Sequence, residues 1–167
     1  AIAENKIVGT SLWGWTIALS GIFISILAPL FGLIAEFKNK FAKQAIFIST
    51  FMVSILSALL WFSKPTADFL VFTLLIVFIS NTLFELSQVF YNSQLLYFKK
   101  DMPIGRFSGK AWALGYLGGI FCLLLILLLF VLPEENFLQL KKSEFEHIRI
   151  CGPIVAIWYF FFSLPFL

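Results

Sequence analysis

The chain has 167 residues, of which 60% are hydrophobic, 19% aromatic and only 13% charged, with a formal net charge of +3. A soluble domain carries about a quarter charged residues, so this sequence cannot cover a water-facing surface. The apolar residues form long runs between short polar stretches, and the mean hydropathy is +0.97. These properties exclude a soluble globular protein and indicate an all-α, polytopic membrane helix bundle.

Five apolar segments are long enough to cross a hydrocarbon core, which takes roughly 20 helical residues. They make 1–167 a single transmembrane domain, with spans at about 11–35, 45–62, 69–98, 111–132 and 150–167. The apolar residues run continuously without alternation, which disfavours a β-barrel. Lysine and arginine are frequent in the two short connections 36–44 and 99–110, so the positive-inside rule places both in the cytoplasm.

Five spans put the start of the chain outside the cell and its end in the cytoplasm. The sequence begins with Ala1 and shows no signal peptide, and its last apolar run reaches Leu167. A chain that starts outside normally needs an earlier span to bring it there. We therefore expect one further span upstream and a longer protein of which this chain is a part.

Small residues form a continuous stripe along the first span. Their spacings are 4, 3, 4, 3 and 4, at Gly14, Ala18, Gly21, Ser25, Ala28 and Gly32. Small side chains let helix backbones approach closely in lipid, where little hydrophobic force acts between helices. The fourth span repeats the pattern with Ala111, Gly115 and Gly119. Both stripes predict close helix–helix packing.

The third span carries a polar stripe at spacings of 4, 3 and 4, formed by Asn81, Glu85, Gln88 and Asn92, with Tyr91 beside it. A carboxylate in a span costs about 2.5–3.5 kcal/mol on insertion scales, so this face must meet protein or water. An interhelical hydrogen-bond network is one interpretation, and the lining of a solute or proton pathway is the other. Glu85 favours the pathway, because a neutral glutamine would serve packing at lower cost.

Two aromatic residues of the fourth span, Trp112 and Tyr116, share one face near the cytoplasmic side. Anchoring at the membrane interface is the usual role of tryptophan there, and lining a cavity is the alternative. Cys122, Cys151 and the single histidine, His147, have no ligand-like spacing. We therefore expect no metal, no cofactor and no enzymatic activity.

The segment from Ala28 to Glu36 is followed by Lys38, Lys40 and Lys43. It is similar to the loop signature of the major facilitator superfamily, although Phe37 and Asn39 stand where a basic residue and a glycine are usual. This resemblance implies that the chain has a gating loop formed by Gly32, Glu36, Lys38 and Lys40, together with Arg106 in the next cytoplasmic connection.

Further segments that together cover most of the chain are Phe84-Glu85, 89–95, 105–109, the Trp-Ala-Leu-Gly-Tyr-Leu-Gly-Gly run at 112–119, and 155–165. They resemble the vacuole-effluxer-like branch of the superfamily. This resemblance implies that the five spans are the second to sixth helices of a twelve-helix fold, with the substrate bound near the midplane between two halves. It also implies export of a small solute, with amino acids among the candidates.

Two function hypotheses follow. The first is a secondary transporter of a small polar solute that works by alternating access, in a bacterial inner membrane. The alternative is a non-transporting assembly or scaffold protein whose polar stripe docks a partner helix. The expected partners are the lipid bilayer, a small-molecule solute, the missing first span and the carboxy-terminal half of the same chain. No nucleic acid is expected.

Overall fold

The computed structural model describes residues 6–37, 39–95, 103–134 and 138–166. Over these ranges the chain is helical and contains no strand, which confirms the all-α prediction. Its helices are α1 (Lys6–Phe37), α2 (Asn39–Leu59), α3 (Leu70–Leu95), α4 (Ile104–Ile126), α5 (Glu146–Arg149) and α6 (Cys151–Ser163).

Four helical segments within the described ranges are long and apolar enough to cross a membrane, namely Val8–Ala35, Lys40–Phe62, Ala67–Gln94 and Gly105–Val131. The fourth of these continues α4 through a π-helical stretch, Leu127–Val131. The fifth predicted span, 150–167, contains the 13-residue helix α6 and a 3₁₀ turn at Leu164–Phe166. That length is below the roughly 20 residues needed for a span, so the fifth span stays a prediction.

Helices extend into the connections that the sequence suggested were loops. α1 ends at Phe37 and α2 begins at Asn39, so most of the predicted connection 36–44 is helical. α4 likewise begins at Ile104, inside the predicted connection 99–110. Polar residues end the apolar run but do not end the helix, because a helix outside the hydrocarbon core can still form its backbone hydrogen bonds.

α3 lies at the centre of the bundle, packed against α1 and α2, and α6 packs against α2. Edge-to-face aromatic pairs mark these contacts: Phe31–Phe90 at 5.6 Å and Phe41–Phe90 at 6.0 Å between ring centroids. Phe90 is also part of the buried cluster with Ala35, Ala42 and Ile46. This cluster joins α1, α2 and α3 near the end of the bundle where α1 meets α2.

α4 lies at the edge of the described bundle. Its main neighbour is α6, where Phe121 and Trp158 meet at 5.9 Å between ring centroids, and its buried residues include Cys122 and Ile126. Most of its remaining leucines are exposed, as expected of a helix that faces acyl chains.

The segment that leads into α6 is fastened to the end of α2. The guanidinium of Arg149 donates hydrogen bonds from Nε (2.7 Å) and from Nη2 to the backbone oxygen of Trp61, and it lies 5.0 Å from the centre of the Trp61 ring. Gly152 approaches the same region so closely that a Cβ there would be 2.5 Å from the Ser57 carbonyl oxygen. Arg149 and Gly152 together therefore position the start of α6 against the end of α2.

Candidate functional site

The polar stripe predicted in the third span lies on one face of α3, because that helix continues without interruption from Leu70 to Leu95. We call Asn81, Glu85, Gln88 and Asn92 the α3 polar face. Glu85 and Asn92 are exposed, whereas Asn81 and Gln88 are half-buried. The opposite side of the helix, which includes Leu86, Ser87, Phe90 and Gln94, is buried.

Two neighbouring helices flank the α3 polar face. On one side α1 contacts α3: the Asn81 Nδ2 donates a hydrogen bond of 2.8 Å to the Ser20 Oγ, and Phe23 meets Phe78 at 5.4 Å. On the other side α6 contacts α3 through Phe84 and Tyr159, at 5.8 Å. By its position on the helix Glu85 lies between these two lines of contact, and its side chain is exposed. We call this exposed strip of α3 between α1 and α6 the groove.

The exposure of Glu85 limits what can lie against this groove. A carboxylate at this depth costs about 2.5–3.5 kcal/mol when it faces lipid. Neither hydrogen bond nor ion pair joins Glu85 to another residue within the described ranges. Water or a further part of the protein is therefore the favourable neighbour of this face.

A pocket of about 260 Å³ adjoins the α3 polar face and is enclosed by α2, α3 and α6. We call it the neutral pocket, because none of its lining residues is charged: Ile46, Thr50, Ser87, Gln88, Tyr91, Tyr159, Phe162 and Ser163. Two of its hydroxyls are committed to their own helices, with Ser87 Oγ donating to the Phe84 carbonyl and Ser163 Oγ to the Tyr159 carbonyl, each at 2.7 Å. The pocket offers amide and phenol groups to a neutral polar ligand.

Sequence reasoning found Gln88 and Tyr91 but missed three residues that complete this pocket. Thr50, Tyr159 and Ser163 are isolated polar residues in apolar runs and belong to two other helices. A weak signal was present in the spacing of four between Tyr159 and Ser163, which places both on one face of α6. Only the packing of α2, α3 and α6 shows that Thr50, Tyr159 and Ser163 line the same pocket as Gln88.

The rings of Trp112 and Tyr116 lie next to each other on α4, with centroids 5.8 Å apart and planes tilted by 34°. They are 50% and 67% exposed, respectively. Within the described residues α4 packs mainly on α6 and has no extensive contact with α3. The structure therefore does not bring these two rings to the α3 polar face.

The described residues of the predicted gating loop belong to three helices, α1, α2 and α4. Gly32 is in α1, where an added Cβ would be 3.7 Å from a methyl of Val89 on α3, an ordinary packing distance. Glu36 is in the last turn of α1, and Lys38 lies outside the described residues. Lys40 at the start of α2 and Arg106 at the start of α4 are exposed.

The glycines predicted to pack helices, Gly14, Gly21, Gly115 and Gly119, lie on open surfaces of α1 and α4. No heavy atom of a described residue comes within 4 Å of a Cβ built at any of them, outside their own helices and chain neighbours. Their packing role stays a prediction. Metal ligands do not cluster either, since the described ranges contain no group of three histidine, cysteine or acidic side chains.

Comparison with known proteins gives one informative match. The chain is 26% identical over 159 residues to a Bacillus subtilis (strain 168) protein described as "Uncharacterized MFS-type transporter YxiO". The match covers 93% of this chain but only 35% of the relative, so the chain spans about a third of that protein's length. No family model and no solved structure matches. The chain is therefore similar to part of an MFS-type transporter, and the four long apolar helices within its described ranges indicate an integral multi-pass membrane protein.

Proposed function

We propose that the protein is a secondary transporter of the major facilitator type, which moves a small polar solute across a bacterial inner membrane by alternating access. The observation that carries the proposal is the exposed carboxylate of Glu85, on the face of α3 between its contacts with α1 and with α6. Similarity over most of the chain to an MFS-type transporter of Bacillus subtilis supports the same function.

The solute route runs along the α3 polar face. Asn81 is held by Ser20 of α1, whereas Glu85 and Asn92 face the open groove. The missing first helix and the carboxy-terminal half of a twelve-helix fold would cover this groove, so that the solute binds between two halves. Glu85 then acts as the coupling carboxylate, and Gln88, Tyr91 and Asn92 supply hydrogen bonds. Trp112 and Tyr116 would face the membrane interface.

The resemblance to the vacuole-effluxer-like branch makes amino acids the first solutes to test. The neutral pocket, which Gln88 lines, suits the side chain of an amino acid that is polar and uncharged, because it offers hydrogen-bonding groups and no charge. Export is the direction that this resemblance implies.

Flux in proteoliposomes tests the proposal. The full-length protein is reconstituted, and uptake of labelled amino acids is measured with and without a pH gradient, against empty liposomes. Glu85→Gln keeps the shape but removes the titratable group. We expect it to lower gradient-driven flux by about 5–150-fold, the range of a typical coupling free energy.

Glu134→Gln is the matched control, because Glu134 is an exposed carboxylate in a connection. It should leave flux unchanged. Flux in Glu85→Gln that equals the unaltered protein at every pH gradient would remove Glu85 from the mechanism. No flux of any solute by the unaltered protein would favour the assembly or scaffold function.

A further inference from the structure

A second cavity lies at the end of the bundle where α2 ends and α3 begins. Its volume is about 610 Å³, and it shares no lining residue with the neutral pocket. Its walls come from the first turns of α1, the connection 63–69 and the segment 145–149. We call this cavity the α2–α3 cleft.

The α2–α3 cleft is positively charged. Lys64 and Arg149 line it, and none of its lining residues is acidic. The nearest carboxylates in sequence are Asp68, Glu144 and Glu146, and none of them lines the cleft. The Glu146 carboxylate instead accepts a 2.8 Å hydrogen bond from the backbone N–H of Lys141. An anionic group in the cleft would therefore meet two cations and no lining carboxylate.

Arg149 is held in place before any ligand arrives. Its Nε and Nη2 donate to the Trp61 carbonyl, and its guanidinium lies over the Trp61 ring. A guanidinium has five N–H donors, so these bonds leave others for an acceptor such as a phosphate oxygen. A fixed cation binds an anion with a smaller entropy loss than a flexible one.

The rest of the lining is apolar and aromatic, including Trp13, Phe69, Leu70 and Ile148. Trp13 lies near the start of the first spanning helix and is half exposed, as is usual for tryptophan at the membrane interface. Apolar walls add nothing to the binding of a free inorganic anion, whereas they suit an acyl chain. A zwitterionic lipid would bring the cationic group of its own headgroup towards Lys64, and the two positive charges would repel each other.

We propose that the α2–α3 cleft binds an anionic phospholipid, with the phosphate between Lys64 and Arg149 and the upper acyl chain against Trp13 and Phe69. Basic pockets between membrane helices bind such headgroups, because the phosphate and the cationic side chains attract each other. This site is independent of the transport route on α3.

Native mass spectrometry of the full-length protein tests the proposal. Phosphatidylglycerol and phosphatidylcholine with identical acyl chains are titrated separately. We expect phosphatidylglycerol to bind several-fold more tightly. Lys64→Gln should reduce that affinity by about fivefold, which corresponds to roughly 1 kcal/mol. Lys64 is exposed, so this substitution does not threaten folding.

Lys110→Gln is the matched control, because Lys110 is an exposed lysine at the opposite end of the bundle. It should leave the affinity unchanged. Equal affinities for the two lipids would overturn the proposal, and so would equal losses in Lys64→Gln and Lys110→Gln. Displacement of phosphatidylglycerol by an equal concentration of glycerol phosphate would also overturn it, since the cleft would then be a soluble-anion site.

Discussion

Asn81 and Glu85 are separated by about one turn of α3, yet their surroundings differ. Asn81 donates to the Ser20 Oγ at 2.8 Å, and Ser20 is fully buried. Glu85 has no such partner within the described residues. Asn81 therefore takes part in an interhelical hydrogen bond, whereas the pathway role of Glu85 stays a prediction.

The Ser20–Asn81 hydrogen bond is expected to stabilise the contact between α1 and α3. In a double-mutant cycle with Ser20→Ala and Asn81→Ala, we expect a coupling free energy of roughly 0.5–1.7 kcal/mol, the range measured for such bonds between membrane helices. Reversible unfolding of the purified protein in detergent provides the measurement.

Ser25→Ala with Asn81→Ala is the control cycle. Ser25 is exposed, and its hydroxyl donates to the carbonyl of Ile22 in its own helix. Its coupling to Asn81 should be close to zero. Equal coupling energies in the two cycles would show that the Ser20 contact has no specific role.

At the scale of helices, the spacing of Asn81, Glu85, Gln88 and Asn92 is enough to place them on one face of α3, because periodicity is a local property of one helix. The sequence could not predict which helices flank that face. The Ser20–Asn81 pair is separated by 61 residues, and such a pairing depends on packing and not on periodicity. The same limit explains why Thr50 and Tyr159 of the neutral pocket were missed.

Helix ends were also less predictable than helix centres. Hydropathy falls at Glu36 and Lys38, but α1 runs to Phe37 and α2 begins at Asn39. A charged residue marks where the apolar run stops, whereas a helix stops only where its backbone hydrogen bonds are replaced. The segment that resembles the superfamily's loop signature therefore lies where α1 ends and α2 begins.

The contact of α6 with α2 depends on Gly152, which the sequence did not single out. A Cβ at this position would lie 2.5 Å from the Ser57 carbonyl oxygen and 3.0 Å from the Leu60 Cβ. Because the closer atom belongs to the backbone, the helices must separate to accept it. We expect Gly152→Ala to destabilise the protein by about 1–3 kcal/mol, measured as the free energy of unfolding in detergent.

Gly109→Ala is the control for this substitution. Gly109 is an exposed helical residue of α4, and a Cβ there meets no described atom within 4 Å. Alanine is the better helix former by about 1 kcal/mol, so stability should be unchanged or slightly raised. A loss of stability in Gly109→Ala as large as that in Gly152→Ala would contradict the role of close packing at Gly152.

At the scale of the whole molecule, the described bundle leaves two kinds of surface uncovered. Apolar surfaces such as Leu75 and Ile79 of α3, 55% and 43% exposed, are suited to lipid. The groove at Glu85 and the open glycines of α1 are suited to protein or water. Similarity to about a third of an MFS-type transporter agrees with a bundle that pairs with further helices.

The central claim is that the α3 polar face meets water and not lipid, and cysteine accessibility tests it most directly. In a full-length protein with Cys122 and Cys151 replaced by alanine, single cysteines are introduced by Glu85→Cys, Asn92→Cys and Ile79→Cys. Each is exposed to a membrane-impermeant thiol reagent in membrane vesicles of both orientations.

Because only a hydrated thiol ionises and reacts, we expect the cysteines at 85 and 92 to react at least roughly tenfold faster than the cysteine at 79. Addition of a transported solute should slow the reactions of the cysteines at 85 and 92 and leave the reaction of the cysteine at 79 unchanged. Equally slow labelling at all three positions would place the α3 polar face against lipid or a tightly packed partner helix, and would contradict the account.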